Sequence, residues 1–127
     1  MAHHSRLAGF IIDSRSEDLD ATAGFWSAAL GIAIADPDSG GTGQYAEFGG
    51  TPGDLHVEVQ RVEHPSRVHL DIETDDIDAE VARLEALGAS RVGFVKRWWV
   101  MQAPDGQRFC VVRMRKDNQR AAPNRWD

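Results

Sequence analysis

The 127-residue sequence predicts an α+β fold: two βαβββ modules that form a curved mixed sheet around a cleft. Each half has one helical segment flanked by extended runs. "LAGFIID" begins at Leu7 and "RVHLDIE" at Arg67, an offset of 60, and both helices end in "LG". Such self-similarity indicates duplication of a unit that cannot bury its apolar face alone. We expect one domain over residues 1–127, with modules at about 6–62 and 67–114 and a polar tail at 115–127.

The first module reads as strand, helix and three strands. After "LAGFIID", apolar residues recur at helical spacing from about Leu19 to Leu30, and Gly31 suits a left-handed cap. Trp26 on this helix is expected in the core. The extended runs "IAIAD", "QYAEFG" and "LHVEVQRV" follow, separated by the turn-rich segments "PDSGGTG" and "GTPGD".

The second module repeats this order. After "RVHLDIE", a helix is predicted from about Ile77 to Leu87, with Thr74 or Asp75 as its cap and Gly88 after its end. Three runs follow: "SRVGFV", "RWWVMQA" and "QRFCVVRM". The tail has the polar, proline-containing composition of disordered segments. Trp126 within it is nevertheless expected to dock on the body of the protein or on a partner chain.

Strand "RVHLDIE" has one apolar and one ionisable face, because successive strand side chains point to opposite sides. If Val68, Leu70 and Ile72 pack on the helix, His69 faces the cleft. A solvated edge is the favoured interpretation for Asp71 and Glu73. His69 has two open interpretations: a hydrogen bond that holds the structure together, or a role in the functional site, where a nearby carboxylate would suit proton transfer.

Composition limits the function classes. The net charge of −6 disfavours nucleic acid as a partner and favours neutral or cationic ones. Cys110 is the single cysteine, so no intramolecular disulfide is expected, and neither a membrane span nor a signal peptide is recognisable. These features favour a cytoplasmic protein. His3 and His4 are interpreted as part of a solvated terminus.

The motifs "FWSAALG", "VHLDIETDDIDAEVARLEALGA" and "MQAPDGQRFCVV" resemble the vicinal oxygen chelate superfamily, specifically its glyoxalase/bleomycin resistance-like proteins. The resemblance covers about residues 6–113. It implies metal ligands from the first and fourth strand of each module, and chemistry that ranges from isomerisation and extradiol cleavage to metal-free drug sequestration. Fold alone does not select among these activities.

The resemblance makes His69 a ligand position, but the other positions fit less well. Gly9 stands at the first-strand position and Cys110 at the eighth-strand one. Glu58 takes the fourth-strand position, or Gln60 after a shift of two. A divalent ion usually needs three protein groups, so the sequence predicts no complete metal site. A fallback metal set is His69, Glu58 and His56.

Other residues complete the predicted site. His69 and Glu58 are the catalytic candidates, and six further residues are candidates for ligand binding: His56, Gln60, Asp71, Trp98, Trp99 and Cys110. Adjacent tryptophans in a strand point to opposite faces, so one of Trp98 and Trp99 can pack under the second helix while the other reaches the cleft or a dimer surface.

Two functions remain open from the sequence. The protein either binds a small molecule in the cleft without a complete metal site, or acts as a metal-dependent lyase, isomerase or dioxygenase that uses His69 and Glu58. The first is favoured because Gly9 and Cys110 stand where ligands are expected. No cofactor is firmly implied. A homodimer is expected, with neither nucleic acid nor membrane as partner.

Overall fold

The computed structural model describes residues 2–127, and these contain nine β-strands and two α-helices. The α+β class is confirmed. The elements in chain order are β1 His3–Ser14, α1 Leu19–Leu30, β2 Ile34–Asp36, β3 Tyr45–Phe48, β4 His56–Arg61, β5 Arg67–Thr74, α2 Ile77–Ala86, β6 Ser90–Val95, β7 Trp98–Gln102, β8 Arg108–Arg113 and β9 Asn124–Trp126. Within residues 2–127, neither helix has the length and apolar composition needed to span a bilayer.

The chain divides into two compact units. The N-terminal unit is Phe10–Val68, and the C-terminal unit joins His69–Asp127 to the residues up to Gly9. The first residues of β1 therefore belong with the second half of the chain, and the predicted module boundaries stay predictions. The predicted single domain and the cleft between modules stay predictions.

In the N-terminal unit the strand order is β2-β3-β4-β1, and β2, β3 and β4 pair antiparallel. Helix α1 has the predicted bounds. The Asp18 side chain caps it by accepting a hydrogen bond from the Ala21 N–H, and Gly31 ends it at φ 67°. The core contains Ile12, Leu19, Ala23, Ala46, Phe48, Val57 and Val59, and Trp26 packs against it as expected.

In the C-terminal unit the strand order is β5-β8-β7-β6, and the β5–β8 pair is parallel. The core of this unit contains Val81, Leu84, Met101 and Val111. Asp76 caps α2 by accepting from the Ala79 N–H, so the prediction of Thr74 or Asp75 is wrong. Both of those side chains are engaged elsewhere, because each bonds to the backbone of His4.

Strand β5 differs from expectation in the burial of its side chains, although Ile72 packs against the core as expected. Val68 and Leu70 are about half exposed, whereas Asp71 and Glu73 are buried, so the solvated-edge interpretation is wrong. Glu73 is stabilised by two arginines: Arg6 Nε donates to it at 2.6 Å and Arg120 Nη1 at 2.9 Å. Ion pairing therefore offsets the desolvation of this carboxylate.

The first described residues and the C-terminal residues also pack against the rest of the chain. His3 is buried with its Nε2 2.8 Å from Glu80, and His4 Nδ1 lies 2.8 Å from Asp75, so the solvated-terminus interpretation is wrong. Strand β9, which the sequence did not predict, pairs antiparallel with β1. Trp126 docks on the body as expected: its Nε1 donates to Ser5 Oγ at 2.8 Å.

Candidate functional site

Three side chains of different chemistry meet in the C-terminal unit. Asp71 of β5 and Cys110 of β8 are direct partners in the parallel ladder, and His69 lies two residues before Asp71 on the same face. His69 Nε2 is 3.5 Å from Asp71 Oδ1. One donor atom from each of the three residues falls within 4.8 Å of the others. Strand register thus brings together an imidazole, a carboxylate and a thiol.

This His69–Asp71–Cys110 cluster is largely protected from solvent. The side chains of His69 and Asp71 are each 12% exposed, and Cys110 is buried. Asp71 Oδ1 is buried and makes no hydrogen bond within residues 2–127. A buried acceptor without a hydrogen bond is costly, so this oxygen is available to a ligand or an ion.

A second polar cluster lies in the N-terminal unit. His56 Nδ1 is 3.4 Å from Glu47, and His56 Nε2 is 3.3 Å from Glu58. Glu47 and Glu58 are cross-strand partners, so the imidazole between them reduces the repulsion of two like charges. Gln60 Nε2 donates to the Tyr45 hydroxyl at 3.3 Å. Glu47 was not predicted from the sequence, because the β3–β4 register that places it is not visible in local patterns.

The predicted residues therefore fall into two groups. His69, Asp71 and Cys110 come together in one unit, and His56 and Glu58 in the other. The structure adds Asp71 to His69 and Cys110 as a possible metal donor. Asp71 was not predicted from the sequence as a metal ligand. The fallback metal set of His69, Glu58 and His56 stays a prediction.

Trp98 and Trp99 have different surroundings. Trp99 packs against the core beneath α2, with its ring centroid 5.3 Å from that of Phe94. Trp98 lines a pocket of about 660 Å³ at the start of α2. Both charges line this pocket: the basic residues Lys96, Arg97 and Arg113 and the acidic residues Asp75, Asp76 and Asp78. The Trp98 indole can therefore contact a ligand there.

Two carboxyl groups near α2 have altered pKa values. For Asp75, a hydrogen bond from the His4 backbone N–H is the main influence and lowers the pKa. For Glu80, burial acts to raise the pKa, but hydrogen bonds from Arg83, His3 and Ser5 outweigh it, so the pKa lies below its ordinary value. Both groups therefore favour the charged form.

Comparison with known proteins identifies the fold class first. The chain resembles the hypothetical protein BH1468 from Bacillus halodurans C-125, with 13% identity, a TM-score of 0.58, and coverage of 90% of this chain and 99% of that one. Residues 9–112 match the Glyoxalase-like domain family, so the chain belongs to this family and fits the vicinal oxygen chelate superfamily. A search of curated proteins found no match.

The His69–Asp71–Cys110 cluster also fits the metal that the superfamily resemblance implies. Imidazole, carboxylate and thiolate are all zinc ligands, and the buried Asp71 Oδ1 lacks a hydrogen bond. When bound, such an ion would act as a Lewis acid on a ligand oxygen. Independently of an ion, His69 can donate or accept a proton at the ring nitrogen that faces Asp71.

Proposed function

We propose that this glyoxalase-like protein binds a small molecule at the polar face of β5 and β8. The observation that carries the proposal is the His69–Asp71–Cys110 cluster, which places three polar side chains where an ordinary core would be apolar. Such groups orient a ligand by hydrogen bonding, as a few polar groups do in most small-molecule sites. Family membership supports the proposal, since members of the superfamily act on or sequester small molecules.

The chemistry of the ligand follows from the charges. The chain carries a net charge of −6, and Asp71 contributes a carboxylate to the site. A neutral or cationic compound is therefore favoured over an anion. We further propose that the protein works in the cytoplasm, where its single cysteine stays reduced.

Calorimetry tests the proposal. Metal-stripped protein is titrated with a panel of cationic glycopeptide-like and planar aromatic compounds. We expect binding by at least one class, and His69→Ala should weaken it by at least about tenfold, or 1.4 kcal/mol. His64→Ala is the matched control, because the His64 ring contacts the Pro65 carbonyl and the Arg67 guanidinium and lies outside the cluster.

Stability is measured in parallel, since His69 is mostly buried. The ligand-binding role requires His69→Ala to reduce binding by more free energy than it removes from unfolding. Flat heats across the whole panel would rule out the proposal. Equal binding by the wild type and His69→Ala would show that the ligand binds elsewhere than at β5.

A further inference from the structure

We propose that His69, Asp71 and Cys110 form a binding site for one divalent cation of the zinc class. This inference deepens the proposed function. It rests on the proposed function in one respect only, namely which molecule would bind at the open coordination position of the ion. The donor set is particular to this chain. It lies within one unit, and it includes Asp71, which is not at any of the four positions implied by the superfamily resemblance.

The spacing of the donor atoms suits a single ion. Two ligands at zinc distances in a tetrahedral arrangement lie about 3.4 Å apart. His69 Nε2 and Asp71 Oδ1 are 3.5 Å apart already. One donor atom from each of the three residues lies within 4.8 Å of the others, so small adjustments of the side chains would bring them to the ligand separations of a single ion. The β5–β8 ladder holds the backbone of all three residues in register.

The unsatisfied oxygen of Asp71 is an independent sign of a missing partner. Asp71 is 9% exposed as a residue, and its Oδ1 has no hydrogen bond. Leaving a buried acceptor without a hydrogen bond is unfavourable, and more so for a charged group. A cation between Asp71 and His69 would remove this cost, because it binds the carboxylate oxygen directly.

The donor types select the ion. A thiolate, an imidazole and a carboxylate suit Zn²⁺ or Co²⁺, whereas Mg²⁺ and Ca²⁺ prefer oxygen ligands. Cys110 binds as the thiolate, so its thiol proton is released to solvent. The thiolate and the Asp71 carboxylate then balance the two positive charges of the ion, which favours binding in a buried site. Three protein ligands leave a fourth position for water or a ligand oxygen.

Cobalt titration of the full-length protein tests this site without any organic ligand. Thiolate coordination to Co²⁺ gives a charge-transfer band in the near ultraviolet. Because Cys110 is the single cysteine, that band can arise from no other residue within the chain. We expect one Co²⁺ per chain, the band, and displacement of Co²⁺ by Zn²⁺.

Variants assign the remaining ligands. Cys110→Ser should abolish the band, and Asp71→Asn and His69→Ala should each weaken Zn²⁺ binding by at least about tenfold, since even outer partners of a metal site contribute 10–100-fold. Asp105→Asn, in the turn before β8, is the matched carboxylate control and should bind normally. His56→Ala tests the other histidine–carboxylate cluster and should also bind normally.

Several results would overturn the site. No band at Co²⁺ concentrations up to millimolar would do so, as would a band that Asp71→Asn and His69→Ala leave unchanged. Loss of binding in His56→Ala would show that the ion binds in the N-terminal unit instead. If Asp71→Asn does not fold, Cys110→Ser and His69→Ala still decide the outcome. Calorimetry on metal-stripped protein separates this result from the proposed function, which can hold without the ion.

Discussion

Glu80 shows how a single buried carboxylate ties several elements together. Its side chain is fully buried in α2, where His3 contacts it at 2.8 Å and Arg83 donates two hydrogen bonds of 2.8 Å. Arg83 also lies over the Trp126 ring, at 3.9 Å from its centroid. One ion cluster therefore links both ends of the chain to α2.

The Glu80 cluster predicts acid sensitivity. Its folded pKa lies below the ordinary value of 4.5, so the stability that it contributes is present above that value. This stability is lost as the pH falls below 4.5 through the folded pKa. Glu80→Gln should lower the free energy of unfolding at pH 7 by roughly 2 kcal/mol and show a smaller further loss than the wild type as the pH falls below 4.5.

Urea unfolding at several pH values measures both effects. Glu63→Gln is the control, because Glu63 is exposed and should leave the pH profile as in the wild type. An identical pH dependence in Glu80→Gln and the wild type would contradict the assigned role of Glu80.

The burial and the contacts of individual side chains were the features least predictable from the sequence. The alternation of β5 correctly put His69, Asp71 and Glu73 on one face, but it did not reveal that this face is buried. Glu73 is buried because Arg6 and Arg120 contact it from distant parts of the chain. No local pattern contains such long-range ion pairs.

At the scale of elements, helix α1 offers a matched pair of glycines. Gly24 lies inside the helix, and a Cβ added there meets no atom within 4 Å, whereas Gly31 follows the helix at φ 67°. Gly24→Ala should raise the free energy of unfolding by about 1 kcal/mol, because alanine is the better helix former. Gly31→Ala should lower it by about 1 kcal/mol through left-handed strain.

Urea unfolding of the two variants gives the comparison directly. The same residue change has opposite expected signs, so general effects of adding a methyl group cancel. If Gly24→Ala lowers the free energy of unfolding instead, the exposed face of α1 must contact something other than residues 2–127 of this chain.

Helix bounds were predicted well because they depend on local signals. Apolar spacing and the terminal glycine located α1 at Leu19–Leu30. The predicted caps of α2, Thr74 and Asp75, lie one or two positions before the observed cap Asp76, since both side chains bond to the β1 backbone. Those tertiary hydrogen bonds are not visible in local sequence preference.

At the scale of the whole chain, the polar tail is predicted to contribute to stability. Arg120 is 5% exposed and pairs with the buried Glu73. Arg120→Ala should cost about 3 kcal/mol, because it removes one of the two cations that pair with a buried carboxylate. Arg125→Ala is the control: Arg125 is 67% exposed and should cost less than about 0.5 kcal/mol.

Thermal and urea unfolding of both arginine variants provide the measurement. A truncation that removes residues 115–127 should be at least as destabilising as Arg120→Ala. A truncated chain with wild-type stability would show that the docked tail adds nothing.

The homodimer expected from the superfamily resemblance is also testable. Large apolar side chains at the surface, including Val68, Leu87 and Phe94, are consistent with association. Light scattering at micromolar concentration should give about twice the chain mass of 14.0 kDa. A monomer mass under these conditions would contradict the prediction.

The sequence by itself determined the α+β class, both helices, eight of the nine strands and the superfamily, because periodicity, glycine caps and internal repetition are local or repeated signals. It also predicted His69 as a site residue, and this stays a prediction. Only the tertiary structure decided that Asp71 and Cys110 lie beside His69 and that Glu47 and Glu58 contact His56. Strand register sets those distances, and register depends on pairing between segments that are distant in the chain.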